Sequence, residues 1–159
     1  MKKSFVIGLV IACLLAGSAQ ALEFKIFDMR NKIYLESQEI KALLPKSKDA
    51  VVIINMFDSC IISMTQMDAY FSMIGIFETI KADDARQQAL DLLLAWLTEI
   101  KRANDLNIKS FLNVANQPVE KSTGVHIKKL VTMYTELNTR ISEEINKVSS
   151  MKKTVKPRK

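Results

Sequence analysis

The chain reads as all-α, an up-down-up-down antiparallel four-helix bundle, and three observations lead there. Glycine and proline are scarce, with four and three among 159 residues. Beyond the N-terminal segment they fall singly at Pro45, Gly75, Pro118, Gly124 and Pro157, which leaves long stretches of helical composition. The last stretch carries a seven-residue apolar repeat, and short connections between long helices favour antiparallel neighbours. Three long helices with a short N-terminal helix docked beside them is the variant of the same architecture.

Segment one runs from about Phe24 to Leu44, with Ile26, Met29, Ile33, Ile40 and Leu43 or Leu44 at three- and four-residue spacing. Its opening "LEFKIF" alternates like a strand, but no second strand-like run exists to pair with it. Pro45 ends the segment, and Ser47 offers an N-cap for a second helix from Lys48 to about Ile80. A third helix is expected from near Asp84 to Ala115, with Asp84 and Gln87 as a capping box and Ala89, Leu93, Trp96 or Leu97, Ile100, Ala103 and Phe111 as its apolar positions. The join "IKADDARQ" lacks glycine and proline. An unbroken helix across it would reach about 100 Å with a broad apolar face unpaired, so a tight turn near Lys81 to Asp83 is expected.

Segment four, starting at Pro118 or Thr123, repeats Ile127, Tyr134, Ile141, Val148 and Val155 every seven residues, with Leu130, Leu137, Glu144 and Met151 in the matching second position. This is a coiled-coil seam with one polar member, Glu144.

The first 21 residues have the form of a secretory signal: Lys2 and Lys3, an apolar run from Phe5 to Ala16, then Ala19-Gln20-Ala21 as a cleavage site. The expectation is a periplasmic or secreted protein cleaved between Ala21 and Leu22, with one bundle domain over 22–151 and a disordered basic tail over 152–159. Only Cys60 survives that processing, so no intramolecular disulfide can form and packing must supply the stability. The tail holds five basic residues, and the body from Leu22 to Met151 is left with 16 basic and 17 acidic residues, a net charge of −1. The high overall pI therefore describes a tail, and no nucleic-acid-binding face is expected.

Catalytic signatures fail for want of the residues their chemistry needs. There is no Gly-rich phosphate loop, no Cys-x-x-Cys-His, and a single histidine where a di-iron bundle needs two Glu-x-x-His units. Ser149 and Lys152 have Ser-x-x-Lys spacing but lack the partner motifs. The chain is accordingly read as non-enzymatic.

A second functional class is a haem- or copper-binding bundle. His126 would be an axial ligand with Met56 opposite it, since helices two and four of such a bundle start at the same end. Methionine thioethers suit Cu(I), but Met64 and Met67 are neighbours while Met56 and Met73 lie more than a turn away from that pair. The simpler reading makes His126 a boundary histidine and the methionines core filler or an adaptable surface, with no cofactor.

The stretch from Val51 to Phe77 has 18 apolar residues among 27, more than the three in seven that a core-facing stripe needs. Asn55, Asp58, Gln66 and Asp68 interrupt every window long enough to span a bilayer, and a central Asp costs about 2.5–3.5 kcal/mol on insertion scales. The surplus must be covered, by a bundle that surrounds the helix fully, by a second copy or by a docked partner, and binding of a protein partner or self-association is the leading expectation. Phe57, Met64, Phe71 and Met73 are the expected contacts. Lys152, Lys153, Lys156, Arg158 and Lys159 add salt-sensitive attraction, including weak contact with an anionic membrane surface.

Overall fold

Helices form where apolar residues recur and stop where the chain loses that repeat or a backbone N–H. The computed structural model describes residues 25–154. The proposed leader with its cleavage point lies outside them, as do Val155, Lys156, Arg158 and Lys159. Helix α1 covers residues 25–43, and a 3-10 turn at Leu44–Lys46 holds Pro45 where no amide is required. Helices α2 (Ala50–Thr79), α3 (Asp83–Ala115) and α4 (Lys121–Thr154) follow. They pack antiparallel as a four-helix bundle, each helix against its sequence neighbour and α4 closing against α1.

The join between α2 and α3 is a break of three residues. Ile80 and Ala82 have extended backbone at φ −77°, ψ 122° and φ −78°, ψ 128°, so the reversal needs neither glycine nor proline. No described residue other than glycine has positive φ, and neither Gly75 nor Gly124 does.

The seam of α4 is buried as its period requires. Ile127, Leu130, Tyr134, Leu137, Ile141 and Val148 all lie in the core, and Met151 packs against its edge. Facing them are Ile26, Met29, Ile33 and Ile40 of α1, Met56, Cys60, Met64 and Met67 of α2, and Leu90, Leu93, Leu97 and Ile100 of α3. The methionines of α2 are chiefly core filler, Met56, Met64 and Met67 all being buried. On α3, Leu90 and Asn104 occupy the core positions that the spacing assigns to Ala89 and Ala103.

Two capping expectations are corrected. Asp49, not Ser47, is the residue before α2, and it makes no side-chain bond to its own helix. Its carboxylate accepts the Glu120 amide at 2.7 Å, across the end of the bundle. In return the Glu120 carboxylate accepts the Ser47 hydroxyl at 2.6 Å and the Lys48 amide at 3.2 Å. Helix α3 starts at Asp83 with Ala82 before it and no side-chain cap, so the Asp84–Gln87 box does not form. Its two leading aspartates instead favour the positive end of the helix dipole. At the other terminus, α4 continues through Thr154, which places Lys152 and Lys153 in its last turn and not in a disordered tail. Lys152 Nζ pairs with Asp91 of α3 at 2.5 Å.

Candidate functional site

Two places carry more chemistry or more apolar surface than a bundle needs. The first is a charged cluster between α1 and α4. The apolar stripe of α1 skips a turn between Ile33 and Ile40, and Glu36 and Ser37 fill the gap, both buried. Glu36 is 4% exposed and holds His126 Nδ1 at 2.5 Å and Lys129 Nζ at 3.2 Å. Lys129 also reaches Glu39 at 2.9 Å, and that hydrogen bond lowers the Glu39 carboxyl below its usual range.

Glu36, Glu39 and His126 each offer a ligand atom within 4.8 Å of the others, the spacing of a metal site. Lys129 is bonded to both carboxylates, so the cluster has its own cation and works as an interhelical ion-pair network. Sequence reasoning paired His126 with Met56. In the structure His126 turns to a carboxylate on α1, and Met56 is wholly buried in the core.

The second place is the outward side of α2. Val51, Ile54, Ile61, Ile62 and Ile76 are exposed, Val51 at 72%, Ile62 at 54% and Ile76 at 63%. At 100° per residue all five fall within an arc of about 100°, so they form one stripe. Among the described residues α2 is the one helix long and apolar enough, by length and composition, to cross a membrane, and only 33% of its most apolar window is buried. The bundle uses one side of this helix and leaves the other bare.

The contacts expected from the sequence lie mostly elsewhere. Met64 is buried, and Phe57, Phe71 and Met73 are half-buried against the core. Phe71 meets Phe27 of α1 edge-on at 5.9 Å, and Lys41 Nζ lies 5.8 Å from the Phe57 ring. These rings seal α1 to α2. The exposed aliphatics that sequence reasoning missed had a signal: their positions, read as one helical face, select the side opposite Met56, Cys60 and Met67.

A largely buried polar line links α2, α3 and α4. Ser63 of α2 donates to Asn104 Oδ1 of α3 at 3.5 Å, Asn104 to Asn138 Oδ1 of α4 at 3.2 Å, and Asn138 to Asp105 Oδ1 at 2.7 Å. One end of the bundle repeats the theme, where the Tyr70 hydroxyl donates to Glu144 Oε1 at 2.7 Å and Lys147 pairs with the same oxygen at 3.1 Å. Glu144, the lone polar member of the seam, is thereby met from α2. Cys60 and Tyr134 sit side by side in the core. Burial pushes the Cys60 thiol up to about 12 and drives the Tyr134 hydroxyl well above its ordinary value.

Comparison with protein-family models, with curated proteins and with solved structures returned no match.

Proposed function

We propose that this is an exported, non-enzymatic bundle protein that works by binding a protein partner through the outward face of α2. The observation that carries the reading is the stripe Val51, Ile54, Ile61, Ile62 and Ile76, exposed on a helix whose other side is already packed. Fully burying one aliphatic side chain of this size contributes about 1.5–3 kcal/mol. Five in a row exceed what single scattered surface residues would explain, although ordering and association costs offset part of the gain. In the charged cluster at Glu36, Lys129 already bonds both carboxylates, which favours an interhelical ion-pair network there and the stripe as the working surface. The leader-like N-terminus supports export, and the basic C-terminal end supplies long-range attraction.

The test is site-specific photocrosslinking in the cells that make the protein. A crosslinker at Ile62 should trap a protein partner, whereas one at exposed Lys128 on α4 should not. Equal yields at the two positions, or no protein adduct at Ile62, would remove the reading.

A further inference from the structure

We infer that the partner presents a basic amphipathic helix to α2; this rests on the reading of that face as a protein-binding surface. Asp58 carries the argument. It lies seven residues after Val51 and so within about 20° of the same direction, inside the arc of the aliphatic stripe. Asp58 is exposed and forms no ion pair or hydrogen bond among the described residues.

The rest of the helix has the same sign. From Asp49 to Ile80 there is no lysine, arginine or histidine, whereas Asp58, Asp68 and Glu78 are all present in α2. Asp68 is neutralised by both donors of Arg30, at 2.8 and 2.9 Å, which leaves Asp58 as the unpaired charge within the stripe. Burying it without a partner charge would be costly.

That requirement separates the three surfaces that could cover the stripe. A second copy docking the same face about a two-fold axis would bring two acidic helices together. An anionic lipid surface would repel the carboxylate. A helix with an apolar ridge and neighbouring lysines or arginines satisfies both the aliphatics and Asp58. From Val51 to Ile76 the stripe is about 38 Å long at 1.5 Å per residue, which matches a partner helix of about 25 residues packing ridges into grooves.

The experiment is a fluorescence-anisotropy titration of the purified protein with two helical probe peptides of about 25 residues. Both carry the same leucine stripe, one flanked by lysines and one by glutamates. The lysine peptide should bind at least about tenfold more tightly than the glutamate peptide, and Asp58→Lys should reverse that preference. Asp58→Asn should give an intermediate result, and Ile54→Ser with Ile62→Ser should weaken both peptides. Circular dichroism would verify that each variant stays helical.

Equal binding of the two peptides, or a preference that Asp58→Lys leaves unchanged, would overturn the inference. So would dimerisation of the wild type through this face in sedimentation, or binding to vesicles containing phosphatidylglycerol. Photocrosslinking at Ile62 in the Asp58→Lys background separates the two levels. An adduct undiminished by the substitution leaves the binding face standing and removes its basic partner, whereas absence of any adduct in the wild type removes both.

Discussion

Glu36 is a carboxylate at 4% exposure held between an imidazole on one side and an ammonium on the other. Removing one member of a buried pair leaves an uncompensated polar group, which costs about 3–5 kcal/mol in a low-dielectric interior. His126→Ala is expected to destabilise toward the low end of that range, because Lys129 still pairs with Glu36. Replacing both, as Glu36→Leu with His126→Phe, should recover most of the loss in urea denaturation, since apolar residues of similar volume stand in well for buried pairs. Cys60 makes a second prediction at this scale. Its thiol is raised to about 12 by burial, so the folded state keeps the proton that the unfolded chain gives up near its ordinary value of about 9. The stabilising contribution is therefore complete below pH 9 and declines between about 9 and 12, by up to about 1.4 kcal/mol per pH unit. The stability difference between wild type and Cys60→Ala should shrink over that window in denaturant titrations. The buried thiol should also resist thiol reagents in the native protein and react only on unfolding. Neither Glu36 as the partner of His126 nor Tyr134 as the neighbour of Cys60 was legible in the sequence. Each pairing joins residues more than seventy positions apart, through a helix register that periodicity alone does not specify.

The helices themselves were legible because each depends on local spacing. The seven-residue repeat from Ile127 to Val148 places the seam of α4 without knowledge of any other helix, and Pro45 marks the end of the first segment. What stayed hidden was how the ends are tied. Ser47 looks like a cap by residue type, and its hydroxyl oxygen does accept the Asp49 amide at 3.1 Å ahead of the helix, but the same hydroxyl donates across the bundle end to Glu120. The two loops at that end of the bundle exchange hydrogen bonds through Asp49 and Glu120. Capping bonds of this kind are worth about 1–2 kcal/mol. Glu120→Ala and Asp49→Ala should each lower stability by about that amount, and the double variant should cost less than the sum because the two carboxylates serve one junction. Thermal melts of the four proteins test it. Asn104 and Asn138 have a matching role deeper in the bundle, where a hydrogen-bonded pair permits one axial alignment of α3 on α4 and penalises others.

For the molecule as a whole, the sequence already revealed that the second helix has more apolar residues than one bundle face consumes, and the packed structure leaves a different subset from Phe57, Met64, Phe71 and Met73 most exposed. Large Met and Phe side chains drew attention to Met64 and Phe71. The packed bundle buries Met64, half-buries Phe71 and leaves β-branched residues outermost. Register and not side-chain size decides the outcome: Ile53 is buried beside Met56 on the core side of the helix, whereas Ile54, one residue on, is exposed. The proposed export predicts a processed N-terminus: intact-mass analysis of protein recovered from its cells should show loss of residues 1–21. The central claim is that a stripe bare in the isolated bundle is covered at work, and hydroxyl-radical footprinting compares those two conditions directly. Val51, Ile54, Ile61, Ile62 and Ile76 should label strongly in the purified protein and be protected in the cells that make it. Equal labelling in both settings would contradict that claim.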